Sequence, residues 1–301
     1  MLSKLDFILL QKMRIRNIID LFRKDNNKRQ PKTPLKSLVL MRRGIEDGSI
    51  KRKLYKYRTK EQLNLILKNK KFYFAKFTEL NDPFEFSIKM SGLDEEVAKN
   101  YINDLCYKQE PWLRSLLEQC IKRNSYLDLI KDAISRETAN MGVFCCSAIN
   151  DSILMWSHYA DSHKGCCIEF DISEDMPFFC FPKPIEYSSE YMKCDFLKDG
   201  KPNVKDMTRS LFHKSSDWKY EHEYRIIKLD FNGLLRIKHK AIRSIIFGCR
   251  MPEQDIEEIK GKIKRSILLR HVQLKRCVID DNKYKLNIVD VPLDNCPTTD
   301  P

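Results

Sequence analysis

The sequence predicts an α+β fold, with mixed, mainly antiparallel sheets flanked by helices and a basic helical extension at the N-terminus. Three observations carry this expectation. Strand-like and helix-like segments follow one another without the regular strand–helix–strand rhythm of a doubly wound sheet. Two strand-like runs at 272–279 and 284–291 flank Asp280-Asp281-Asn282 and read as a hairpin. The charge is also uneven: residues 1–53 hold 15 Lys/Arg against 5 Asp/Glu, while the rest of the chain holds 40 against 37. The formal net charge of +13 therefore belongs mostly to the extension, which argues against a whole fold built to grip nucleic acid.

The chain of 301 residues can bury a sizeable core. We divide it into a basic extension and linker (1–53), an α+β domain (54–292) and a tail (293–301). In residues 2–23, Leu5, Ile8, Ile15, Ile18, Ile19 and Phe22 recur at helical spacing among arginines. This is an amphipathic helix that docks on the domain, meets a partner helix or touches an anionic surface. Residues 24–36 read as a polar linker with two prolines. The apolar run at 7–10 is bounded by Asp6, Gln11 and Lys12, and no small-residue cleavage site follows, so no signal peptide is expected. No apolar run approaches the roughly 20 residues of a transmembrane helix. The 11 cysteines include no C-x-x-C pair. The adjacent pairs Cys145-Cys146 and Cys166-Cys167 put their side chains on opposite faces of a strand, which suits neither disulfide nor zinc. Buried reduced thiols in a cytoplasmic protein are expected.

Within the domain, 54–57 reads as a strand. Thr59 caps the following helix, with Gln62 at the capping-box position and Leu63, Ile66 and Leu67 on one side. Further strands are expected at 71–75, 142–148, 165–171, 220–229 and 242–247, and an extended segment at 185–187. Helices are expected over 94–140, 152–160, 207–216 and 255–269. Asn81-Asp82-Pro83 reads as a turn, because proline stiffens it and Asn and Asp bond their own backbone.

Three polar-aromatic segments are candidates for chemistry. In 77–85, Asn81, Asp82 and Glu85 either make a well-built turn or offer oxygens to a hydroxyl or cation; this segment alone supplies too few ligands for a metal. In 155–165, Trp156, Tyr159, His158 and His163 cluster. The two histidines are five apart and do not share a helix face, so no metal site is expected, and an aromatic pocket wall is the better reading. A histidine acting as base to a cysteine nucleophile such as Cys166 has no support from spacing. In 218–225, strand periodicity puts Glu221, Glu223 and Arg225 on one face. They form either an internal ion-pair ladder or a strand that presents a carboxylate to a substrate.

Five motifs then occur in order: Leu54-Tyr55-Lys56-Tyr57-Arg58; Asn81-Asp82-Pro83-Phe84-Glu85; Met155-Trp156-Ser157-His158-Tyr159-Ala160-Asp161-Ser162-His163-Lys164-Gly165 through Glu169-Phe170-Asp171; Trp218 to Arg225; and Ile245-Ile246-Phe247-Gly248. Together they resemble the bacterial domain-of-unknown-function 2971 family (DUF2971) over about residues 54–290. That resemblance implies cytosolic accessory proteins, some from mobile or anti-phage loci. A second resemblance is to the ADP-ribosyltransferase superfamily. Tyr55 or Arg58 on a first strand, Trp156 or Tyr159 in the middle and Glu221-His222-Glu223 later stand in its motif order, although no Ser-Thr-Ser triplet is present.

The second resemblance implies NAD as co-substrate and a protein or nucleic-acid acceptor. Glu223 would be the catalytic carboxylate and Glu221 would orient the acceptor. Tyr55, Arg58, Trp156 and Tyr159 would line the cofactor pocket, with Arg58 on the pyrophosphate. A role in phage defence or as a toxin would follow. The alternative from another class is a non-enzymatic nucleic-acid-binding or sensing module that grips phosphates through residues 1–53. A metal-dependent nuclease using Asp82, Glu85 and Glu223 is a third reading, and no two-metal carboxylate spacing supports it.

Overall fold

The computed structural model describes residues 35–85, 89–91, 96, 100, 139–195, 197–198, 201–202, 204–229 and 231–292. The amphipathic helix expected at 2–23, most of the linker, the helices expected over 94–140 apart from residues 96, 100, 139 and 140, and the tail 293–301 lie outside the described residues.

The architecture is α+β and mainly antiparallel, as the sequence indicates. Its frame is an eight-stranded sheet of β1 (Lys53–Arg58), β2 (Gly142–Ser147), β3 (Cys166–Asp171), β4 (Lys183–Pro184), β5 (Glu223–Lys228), β6 (Ile242–Phe247), β7 (Gln273–Ile279) and β8 (Leu286–Asp290). The spatial order is β8-β7-β6-β3-β1-β2-β5-β4. The pair β6–β7 is parallel. Helix α5 (Glu253–Arg265) connects its two strands, because parallel neighbours need a crossover. The other pairs in this sheet are antiparallel. The hairpin at the end is β7–β8, in register from Lys275↔Asp290 to Ile279↔Leu286.

Helix α1 (Leu35–Glu46) precedes β1 and drops Met41 into the core. Helix α2 (Lys60–Asn69) begins with the expected capping box: Thr59 accepts from the Gln62 backbone, and the Gln62 side chain accepts from the Thr59 backbone. Short helices α3 (Ile153–Tyr159) and α4 (Val204–Ser210) follow. Two expectations need correction. The helix expected over 207–216 stops at Ser210. Leu211 and Phe212 turn inward, and His213–Ser215 pairs in parallel with Glu186–Ser188. The strand expected from 220 starts only at Glu223. Residues Ser216–Glu221 form a 3₁₀ helix that ends on His222 in the left-handed conformation.

The sheet has two apolar faces. One holds Phe72, Phe74, Phe144, Phe170, Phe178 and Phe179 with α2 and α5, many of these rings meeting edge to face at 4.8–6.2 Å. The other holds Tyr57, Trp156, Cys167, Ile246 and Cys277 under α3. Cys166 lies in the first cluster and Cys167 in the second, as strand alternation requires. Cys145, Cys146, Cys166, Cys167, Cys180, Cys249 and Cys277 are free thiols. Among the described residues no helix is long and apolar enough to cross a membrane.

The chain after α3 reverses through Asp161, Ser162 and His163, all at positive φ. It is pinned to the end of β6 by Gly248 N–H donating to the Gly165 carbonyl and Arg250 N–H donating to the His163 carbonyl. A Cβ on Gly248 would lie 2.0 Å from the His163 oxygen. Because that contact is with backbone, Gly248→Ala is expected to cost about 3 kcal/mol, at the upper end for overpacking. Denaturant melts compared with wild type check this.

Candidate active site

The central feature is a splay in the sheet. β1 pairs with β3 at six successive positions, and β2 pairs with β5 at six. Between β1 and β2 a single position is paired, Tyr55↔Ser147. Backbone groups released by such a splay must find other partners if they stay buried. Val143 exchanges both backbone bonds with Ala75. The Cys145 carbonyl accepts from the Lys56 ammonium instead of from a strand. Lys56 also lies 4.3 Å from the Phe144 ring centre. Burial, aided by the Arg58 charge, brings its pKa down to about 8.

A cleft of about 620 Å³ opens along this splay. Of the residues singled out from sequence, Tyr55 and Arg58 line it from β1, and Asn81 and Glu85 from the turn after Leu80. His158 and Tyr159 line it from α3, and Glu221 and Glu223 from the edge of β5. Four of the named residues lie elsewhere, among them His163, which lines a separate cavity. Trp156 is fully buried; its indole N–H donates to the Asn150 carbonyl at 2.8 Å and its ring packs edge-on against Tyr57. It supports α3 and is absent from the cleft lining. Arg225 is buried behind the wall, and Asp82 faces a neighbouring cavity.

At one end of the cleft three carboxylates share two cations. Arg225, 1 % exposed, donates from Nε to Glu223 at 2.7 Å and from Nη2 to Glu85 at 2.6 Å. Its Nη1 donates to the Leu211 carbonyl at 2.9 Å. Lys214 Nζ lies 2.7 Å from Glu221, 3.2 Å from Glu223 and 3.3 Å from Glu85. Tyr159 donates its phenol proton to the second Glu221 oxygen at 2.6 Å. Tyr187 accepts from the Glu223 backbone N–H at 2.8 Å. Glu223 and Arg225 do share a strand face. Glu221 does not lie on that strand: the left-handed turn at His222 swings it round so that Lys214 bridges it to Glu223.

Sequence reasoning missed Lys214, Lys56 and Tyr187. A buried lysine reads like any surface lysine. The available signal for Lys214 was stoichiometry, since three buried carboxylates cannot be matched by Arg225 alone.

Three carboxylates against two cations leave one negative charge, and the two β5-edge glutamates divide the consequence. Burial pushes Glu223 up, but Arg225 and Lys214 outweigh it and hold the carboxyl at about 2. Burial raises Glu221 above the ordinary glutamate range; Lys214 opposes this and the Glu223 charge adds to it. Lys214 is held charged: burial lowers its proton affinity, and Glu223 and Glu221 more than restore it. The site therefore pairs one permanently ionised carboxylate with one that can exchange a proton, the arrangement that separates acid–base roles.

The fold and site define an α+β protein with an acid–cation cluster set at the end of a cleft in a splayed sheet. The family described as Protein of unknown function (DUF2971) matches residues 155–226, from within α3 into β5. The family resemblance seen in the motifs is thus borne out over residues 155–226, which supply Lys214, Glu221, Glu223 and Arg225 of this cluster but not Glu85. No curated protein and no solved structure matches the chain.

The fold favours ionised Glu223, so its stabilisation is complete above the unfolded value near 4.5 and is lost as pH falls from there toward about 2. The fold favours protonated Glu221, so that group costs stability once pH rises through its raised value. Glu223→Gln is expected to lose about 3 kcal/mol at neutral pH and to flatten the acid limb between pH 4.5 and 2. Denaturant melts over a pH series measure both.

Proposed function

We propose that the chain is an ADP-ribosyltransferase-like enzyme that transfers ADP-ribose from NAD to a macromolecular acceptor in the cytoplasm. The observation that carries this reading is the pair Glu221 and Glu223, joined by Lys214 in one cleft with opposite proton affinities. The cleft volume suits a cofactor-sized molecule. Tyr55 and Tyr159 offer aromatic walls to the nicotinamide end. Arg58 has only the Tyr57 carbonyl as a hydrogen-bond partner among the described residues. It is available for the pyrophosphate.

In this reaction the bond between nicotinamide and ribose breaks. The electron pair leaves with nicotinamide, the acceptor bonds to the sugar carbon, and the acceptor proton must go elsewhere. Glu221 is the group suited to take that proton, since its environment favours the protonated carboxyl. Glu223 has both oxygens engaged by Arg225 and Lys214, so it serves as fixed negative charge toward the positive charge that develops on the sugar. Tyr159 holds Glu221 in place through its 2.6 Å hydrogen bond.

A metal-dependent nuclease is disfavoured by the same geometry. Lys214 and Arg225 already engage Glu223 and one oxygen of Glu85, and Asp82 faces a different cavity.

The test is nicotinamide release from NAD by the purified full chain. Glu221→Gln, close to isosteric, is expected to lower the rate by about 100-fold or more. Tyr159→Phe is expected to lower it by about tenfold, the worth of one hydrogen bond to a charged group. A wild-type chain that releases no nicotinamide, or a Glu221→Gln rate equal to wild type, rejects the assignment.

A further inference from the structure

A second cavity of about 590 Å³ lies on the other side of Lys214, which lines both it and the cleft. Its walls include four aromatic rings, Phe84, Tyr191, Trp218 and Tyr220. Phe84 and Tyr191 are 62 % and 43 % exposed and stand open to an incoming chain. Asp82, Glu190 and Asp217 supply acid to the same walls, with His213 and Lys214 as the basic groups. The Lys214 charge is already engaged by Glu221 and Glu223 and lies 4.8 Å from the Trp218 ring centre, which leaves His213 as the other basic group against three acids.

An independent feature points to a ligand. Asp82 is only 5 % exposed. Its Oδ1 accepts from the Phe84 backbone N–H at 2.9 Å, which fixes the carboxylate against the turn. Its Oδ2 has no hydrogen-bond partner among the described residues. A buried acceptor without a donor is costly. A donor supplied by a ligand removes that cost, and a cationic donor gains most from the acid and from the aromatic faces.

We propose that this cavity binds a cationic side chain of a protein, an ammonium or guanidinium group, with Asp82 as its carboxylate partner and the aromatic rings around it. A planar neutral base would use the rings but would gain little from the excess of acid. The proposal rests on the preceding reading only in making the bound side chain the acceptor. In that reading the cation is delivered beside Lys214 and Glu221, next to the cleft. Binding of the cation itself does not depend on NAD.

Binding to the full chain is measured without NAD, using agmatine and butylamine as cationic probes and N-butylurea as a neutral one. At least one cation is expected to bind wild type, and the better of the two identifies guanidinium or ammonium. Affinity is expected to fall about tenfold or more in Asp82→Asn, a variant that keeps the Oδ1 cap on Phe84, and to fall in Trp218→Ala. Tyr55→Phe, in the cleft, is expected to bind as wild type does. The proposal is overturned if neither cation binds wild type, if N-butylurea binds equally well, or if Asp82→Asn matches wild type. It is also overturned if guanosine binds through Asp82 while both cations do not, which would make the cavity a nucleobase site. Nicotinamide release is read separately, so failure of this site and failure of the NAD reading are distinguishable.

Discussion

Arg225 is the contact on which the rest of the site depends. Its guanidinium is sealed from solvent and ties three separate stretches of chain: the turn at Glu85, the end of α4 at Leu211 and its own strand at Glu223. A buried guanidinium is costly unless every side of it is met. Here its fork reaches two carboxylates and a backbone carbonyl, so the three stretches are locked in register by one side chain. Lys214 then adds a second cation to the same carboxylates and draws in Glu221. Loss of either cation would leave buried acids uncompensated, which explains why polar groups, rather than apolar packing, define this end of the molecule.

The splay between β1 and β2 gives that cluster somewhere to act. A continuous ladder across the sheet would fill the space where the cleft lies. The chain keeps one paired position, Tyr55↔Ser147, and satisfies the released groups with Ala75 and the Lys56 ammonium. The cleft thus follows from a local exchange of ladder hydrogen bonds for a bridge and a lysine. The phenylalanine cluster beneath the sheet and α3 above it keep both halves of the sheet anchored while they diverge.

Much of the frame was legible in sequence because it rests on local rules. The capping box at Thr59 and Gln62, the strand over Ile242–Phe247 and the terminal hairpin all follow from short-range pattern, and the structure contains them. The site was legible in part. The motif order placed Tyr55, Tyr159, Glu221 and Glu223, and all four meet in the cleft. Strand parity, however, gave the wrong reason for Glu221, since a left-handed residue at His222 has no strong signature outside glycine or asparagine. Trp156 illustrates the opposite limit: an aromatic residue beside pocket residues is equally at home in the core behind them. Stoichiometry called for a second cation without singling out Lys214, and the splay had no signal, because both arise from contacts between segments distant in the chain.

The account stands on an unequal sharing of protons between two neighbouring carboxylates. The direct measurement is a ¹³C carboxyl NMR titration of the glutamate-labelled chain, with Glu221 and Glu223 assigned by their Gln variants. The account predicts that Glu221 titrates above the ordinary glutamate range, while Glu223 stays ionised down to about pH 2. Two carboxyls titrating together near their ordinary value would contradict it.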